Sequence, residues 1–145
     1  VIFDVVSKTN EEDGLKSQIG DLLIPSSTTT TGIDLANVTA INKENVLLGG
    51  DITVLRSEEK INNIFYAYYL SNYKKEEIAS YAQGSTIVHL YYNHIKNMLI
   101  DLPSFEEQTV IANFLSAIVT KIQTEKNTLD KYQTQKQYLL QNLFI

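Results

Sequence analysis

The sequence predicts an α+β fold, a mixed domain of short strands and helices followed by one long C-terminal helix of coiled-coil character. Two observations carry this. From Ser104 onward, apolar residues recur at heptad spacing over more than four heptads, the pattern of a coiled-coil seam. Upstream, strand-like and helix-like runs are mixed without a regular strand–helix–strand repeat, which favours α+β over a parallel α/β sheet. The length agrees, since 145 residues suffice for one ordinary domain plus a long helix and are too few for two independent domains.

Val1 to Val6 and Ile19 to Ile24 read as strands, separated by a polar stretch from Ser7 to Gln18 that contains Glu11, Glu12, Asp13 and Gly14. Pro25 ends the second run and opens the loop Ser26, Ser27, Thr28, Thr29, Thr30, Thr31, Gly32. These residues add little packing, and loops of this kind are where binding groups sit when they are not simply solvated linkers. Val46 to Arg56, VLLGGDITVLR, reads as two strand segments interrupted by Gly49 and Gly50, a bulge or tight bend. Ile61 to Tyr73 follows helical spacing, with Ile61, Ile64, Phe65, Tyr68 and Tyr69 on one face. Tyrosines crowd that run, and at helical spacing they read as core or core rim before they read as a base-stacking surface. A second short helix, Lys74 to Ala82, leads into Gln83, Gly84, Ser85 and Thr86, where Gly84 permits a turn that a side chain would block. Thr86 to Tyr91 alternates as a strand does, and Met98 to Leu102 reads as a further strand edge.

The final helix is legible from its first turn. Pro103 stops the preceding segment, Ser104 is placed as N-cap, and Glu107, three residues on, completes a capping box. Glu106 and Glu107 also suit the positive end of the helix dipole. The a positions are Leu115, Ile122, Leu129, Lys136 and Leu143; the d positions are Ile111, Ile118, Glu125, Tyr132 and Leu139. At 1.5 Å per residue the run extends roughly 60 Å, longer than a domain of about 100 residues can cover, so the stripe calls for a partner helix. Glu125 and Lys136 indicate its direction. A parallel in-register homodimer sets each against its own copy. An antiparallel pair centred between Asp130 and Lys131 instead faces Glu125 with Lys136, Leu129 with Tyr132, Ile122 with Leu139 and Ile118 with Leu143. A competing register pairs Ile111 with Leu143 but sets Lys136 against Ile118.

The formal charge is −5, and it falls on the globular part: residues 1–103 hold eight Lys/Arg against thirteen Asp/Glu, residues 104–145 four of each. That balance argues against tight nonspecific nucleic-acid binding, which depends on neutralising phosphates. The chain has no cysteine, hence no disulfide framework or thiolate metal site, and a cytoplasmic setting is expected. No apolar run approaches a membrane span and nothing resembles a signal peptide. The chain opens on Val1, directly on a strand-like run, so a fragment lacking its natural beginning is expected. His89 and His94 have no Cys or carboxylate nearby to complete a metal-ligand set and read as structural or solvent-facing. Asp51, Asp101, Glu76 and Glu77 are not placed around a shared cleft, and no phosphate-binding glycine motif occurs. The expectation is no catalytic residue, no metal and no cofactor in this chain.

Four segments in order, IGDLLIPSS, VLLGGDITVLR, AQGSTIVHL and LPSFEEQTVIANFLSAIVTKI with KQYLLQNLF, resemble a target-recognition domain plus conserved helix of a type I restriction-modification specificity subunit. The resemblance spans nearly the whole chain. Its most specific part is Pro103 with Glu107, Gln108, Ile111 and Ala112 ahead of a long heptad helix that ends in Leu139, Leu140, Leu143 and Phe144. The resemblance implies a subunit that does no chemistry. It implies DNA reading, with methyltransferase and restriction subunits as partners that supply S-adenosylmethionine-dependent methylation and ATP- and Mg-dependent translocation and cleavage. A full subunit of that kind carries two recognition domains, each reading half of a bipartite site, held apart by two antiparallel helices. This chain resembles half of one: residues 1–103 as recognition domain and residues 104–145 as conserved helix. Homodimerisation would restore the two-headed form.

The resemblance further implies that recognition loops enter the DNA grooves. Ser26 to Thr31 and Gln83 to Thr86 then become the leading contact candidates, Gln83 for adenine and the hydroxyls for phosphates or bases. Lys60, Lys74, Lys75 and Lys96 are further candidates for phosphate. The principal alternative is a homodimeric coiled-coil interaction module without DNA specificity. A transcriptional regulator lacks the basic recognition helix it would need, and a hydrolase would need a cleft with paired carboxylates.

Overall fold

The structure is a computed structural model that describes residues 13–144. The expected strand from Val1 to Val6 lies outside the described residues. The fold is α+β, with two small antiparallel sheets, short helices and a long C-terminal helix. The chain separates into two units, Val1–Thr109 and Val110–Ile145.

In the first unit, strand β1 (Leu22–Pro25) lies at the centre of a three-stranded sheet. It pairs antiparallel with β3 (Thr39–Ala40) on one side and β4 (Ile52–Leu55) on the other. Leu22, Leu23 and Ile24 are all buried, as a strand covered on both faces requires. The expected strand from Ile19 starts three residues later for a local reason. Gly20 takes φ +99, the Asp21 N–H donates to Gln18 O, and the Gln18 N–H donates to the Asp21 carboxylate at 2.8 Å. That closes a turn and leaves Ile19 exposed. Of the two segments expected around Gly49 and Gly50, only β4 is a strand. Leu47 makes an isolated bridge to Lys16 instead.

The Asp21 side chain is buried against Arg56 through two bonds, Nε to Oδ1 and Nη2 to Oδ2, both 2.7 Å. They tie the turn ahead of β1 to the residue after β4. Burial alone would push this carboxyl up. The Arg56 hydrogen bonds, the Gln18 N–H and the guanidinium charge outweigh it and leave Asp21 below its ordinary range.

Strand β2 (Ser27–Thr28) follows β1 and pairs antiparallel with β5 (Val88–His89) in a second sheet. The expected loop from Ser26 to Gly32 is thus partly a strand, and Gly32 already begins helix α1 (Gly32–Leu35). A Cβ on Gly32 would stand 2.8 Å from Ala79 O, so glycine is what lets α1 approach helix α3 (Lys75–Ser80).

Helix α2 (Asn63–Tyr68) is capped by Asn62, whose Oδ1 accepts from the Phe65 N–H. It then widens into a π-helical turn, Tyr69–Tyr73, before α3. At that turn the Ser71 hydroxyl donates to Val38 O and accepts from Val38 N–H, standing in for a strand partner. Tyr66 is core and Tyr68 and Tyr69 are core rim, whereas Tyr73 is exposed. Phe65 stacks on Tyr69 and Tyr69 on Tyr73, while Tyr66 meets Phe65 and Tyr69 edge-on. Tyr66 Oη donates to Asp101 O, and Tyr69 Oη donates to Asp101 Oδ2 at 2.8 Å. These bonds hold the segment from Met98 to Leu102, expected as a strand edge, without sheet pairing. A one-turn helix, α4 (Tyr92–Ile95), precedes it.

Helix α5 (Phe105–Leu143) begins with the expected capping box. The Ser104 N–H and hydroxyl donate to Glu107 Oε2, and the Glu107 N–H donates back to Ser104 Oγ. Gln108 is buried: its Oε1 accepts from the Asn62 N–H and its Nε2 donates to Pro103 O, both at 2.8 Å. In the second unit, Ile118, Ile122, Leu129, Tyr132, Leu139 and Leu143 are exposed. Glu125 pairs with Lys121 at 2.7 Å. Among the described residues, no helix is long and apolar enough to cross a membrane.

Two substitutions test these ties. Because the folded Asp21 carboxyl titrates below the unfolded one, its contribution is present above pH about 4 and fades as pH falls through the folded value. Arg56 is 40% exposed, which screens the pair, so Asp21→Asn is expected to cost about 2 kcal/mol at pH 7, less than the ~3–5 of a fully buried pair. Urea unfolding across pH should show the variant losing part of the wild-type acid sensitivity. Gln108→Ala strands the Asn62 N–H and Pro103 O, and the same assay should register about 2–3 kcal/mol.

Candidate nucleic-acid interface

The two loops singled out from the sequence are brought side by side through β5. On one edge Ser27 lies opposite His89 and Thr28 opposite Val88. On the other edge Gln83 bridges His89: the Gln83 N–H donates to His89 O at 2.9 Å and the His89 N–H donates to Gln83 O at 2.7 Å. Val88 and Leu90 are buried while His89 between them is half-exposed, so the sheet turns one face to the core and the other outward. Residues directly opposite on an antiparallel pair share a face. Ser27, His89 and Gln83 therefore form one row on the outward face.

The turn from Gln83 to His89 depends on Gly84, which takes φ +122 and whose added Cβ would stand 2.0 Å from Ile87 O. Ser85 and Thr86 are exposed at its tip.

Ser26 belongs to the framework: it is buried, and its hydroxyl hydrogen-bonds Thr53 Oγ1 at 2.8 Å. The Ser27 hydroxyl donates to the Asp51 carboxylate. Thr30 Oγ1 and Thr31 Oγ1 donate to Asp34 Oδ2 at 2.6 and 2.9 Å, and the Thr31 N–H joins them. Those donors hold the Asp34 carboxyl below its ordinary range. Thr28 and Thr30 share a hydroxyl contact of 2.8 Å; with the Thr30 proton on Asp34, Thr28 is its donor. The protons of Thr28, Thr30 and Thr31 are thus spent within the loop. Thr28 Oγ1 also accepts from the Thr30 N–H and Thr30 Oγ1 from Thr28, which leaves one lone pair on each for a partner. Thr29 is exposed at the loop tip.

The lysines are dispersed. Lys60 Nζ stands 4.1 Å from the centroid of the Phe105 ring, Lys74 pairs with Glu77 at 2.7 Å, Lys75 donates to Asn37, and Lys96 is exposed at the end of α4.

Compared with known protein families, residues 5–132 match the type I restriction modification DNA specificity domain. The chain belongs to this family. The matched residues take in both loops, both sheets and more than half of α5.

Sequence reasoning missed three residues beside this edge. Asp51 accepts from Ser27, His89 centres the row, and Tyr91 stacks on His89 with ring centroids 5.5 Å apart. The strict alternation of Val88, His89 and Leu90 was the available signal, because it sets His89 on the face opposite the core.

Gly84→Ala combines a strained φ with a backbone clash and is expected to cost about 2 kcal/mol or more, read as a lower urea midpoint. Ser85→Ala, at the open tip, should stay within about 0.5 kcal/mol of wild type.

Proposed function

We propose that this chain is the sequence-reading part of a type I restriction-modification complex. It reads one half of a bipartite DNA site, does no chemistry itself and gathers methyltransferase and restriction subunits. The observation that carries the reading is the outward edge that unites the Ser27–Thr31 and Gln83–Thr86 segments within a chain of this family.

The chemistry of that edge favours bases over phosphates. Asp34 and Asp51 stand among the hydroxyls and repel phosphate oxygens. The threonine lone pairs and the Asp51 carboxylate suit the amino groups of adenine and cytosine, while Gln83 offers both donor and acceptor to adenine. Affinity for the backbone then falls to partners, as the formal charge of −5 suggests. The methyltransferase subunits neutralise and enclose the duplex while this domain supplies discrimination.

The exposed heptad stripe on α5 supports antiparallel pairing with a second copy or a related recognition half. Pairing across Asp130 and Lys131 buries Ile118, Ile122, Leu129, Tyr132, Leu139 and Leu143, and Glu125 then has Lys136 of the second helix within reach as well as Lys121 of its own. Two copies so joined read a palindromic bipartite site.

The chain has no cysteine, so cross-linking is clean. A Leu129→Cys, Tyr132→Cys double variant is expected to form 129–132 bridges between copies. Efficient 129–129 and 136–136 bridges in single-cysteine variants would reject the antiparallel arrangement. The chain alone should bind nonspecific duplex weakly at physiological salt, and together with the methyltransferase subunits it should select a sequence. An interaction module without DNA specificity would select none even with those subunits present.

A further inference from the structure

The outward row has a centre that the loop-based reading leaves out. His89 lies between Ser27 on one strand and Gln83 on the other, and both of its backbone groups bond to Gln83. Its place on β5 is therefore fixed from both sides. Its ring is fixed too: Tyr91 stacks on it, with planes 16° apart, and Tyr91 Oη lies 2.9 Å from His89 Nδ1. Tyr91 is held in turn, since its N–H donates to His94 Nδ1 and its ring meets that of His94 edge-on. A side chain on a solvent-facing strand position ordinarily samples several rotamers. Here a half-exposed imidazole is oriented by a neighbour that is itself oriented.

We propose that His89 is a base-reading residue of the recognition edge, with Tyr91 as the residue that positions it. This rests on the specificity-domain reading given above. The contact of Nδ1 with Tyr91 leaves Nε2 as the other polar atom of the ring. It donates when the tyrosine hydroxyl donates to Nδ1, and it accepts when Nδ1 carries the proton. Directly opposed Cβ atoms are about 5 Å apart, so the row from Ser27 through His89 to Gln83 spans about 10 Å. That width matches a major groove of about 12 Å and exceeds a minor groove of about 6 Å. Asp51, bonded to Ser27 at one end of the row, makes a phosphate-binding role unfavourable and leaves base edges as the partners of matching chemistry.

The test uses the full chain with the methyltransferase subunits of its host and a duplex library carrying randomised positions, with bound molecules sequenced. Wild type should enrich one motif. His89→Ala should flatten the preference at one or two adjacent base pairs by roughly ten-fold and leave the other positions unchanged. His89→Gln, which keeps a hydrogen-bonding end, should shift the preferred base at those same positions. Tyr91→Phe should weaken the preference there by a smaller factor. Circular dichroism and urea unfolding establish that each variant is folded; if His89→Ala is not, His89→Gln and Tyr91→Phe carry the test. An unchanged motif in folded variants, or an even loss of binding at every position, overturns the assignment of His89. A wild type that enriches no motif overturns the DNA-specificity reading itself, and the two failures are thereby distinguished.

Discussion

Every polar group of Ser26 is committed, and the outward edge formed by β2 and β5 exists because of it. Its N–H donates to Asp51 O at 3.0 Å, its C=O accepts from the Leu90 N–H at 2.9 Å, and its hydroxyl meets Thr53. The first and third bonds belong to the sheet built on β1 and β4; the second belongs to the sheet built on β2 and β5. A buried backbone group without a partner is costly. One residue solves that problem for both sheets at the point where the chain passes from one to the other. Strands of two to four residues have little independent stability, so these cross-ties do what ladder length does in larger sheets.

The globular part is thus held by polar fasteners as much as by apolar area. Asp21 with Arg56, Ser71 with Val38, and Gln108 with Asn62 each join segments far apart in sequence. Each fastener is directional, so it fixes the relative placement of the segments it joins. Unit two is the reverse case, a single helix whose apolar heptad positions from Ile118 to Leu143 are exposed and whose polar bonds run within itself.

Features governed by neighbours in sequence were legible. The Ser104–Glu107 box, the length of the final helix and the need for glycine at position 84 were all readable, because capping, helical propensity and positive φ are local. Strand limits were less so. Ile19 looks like strand until Gly20 and Asp21 close a turn that only the folded pairing with Arg56 makes worthwhile. The π-helical turn left no mark in a run of residues that would all accept an α-helix. For the outward edge, the loops were picked by composition, and the purpose suggested for them came from the family resemblance. Composition did not distinguish Ser26, which faces inward, from Ser27, which faces out. It also passed over His89 and Asp51, which come beside the loops only through strand pairing and the Ser27 hydroxyl.

The turn closed by Gly84 sorts its residues by what constrains each. Gly84 is fixed by backbone conformation and Val88 by burial, whereas Ser85, Thr86 and Ile87 are exposed between them. Three successive positions can therefore drift in chemistry while the frame around them stays put. A protein whose value lies in telling one DNA sequence from another gains from such a division, since new preferences can be sampled at the tip without reopening the question of whether the chain folds.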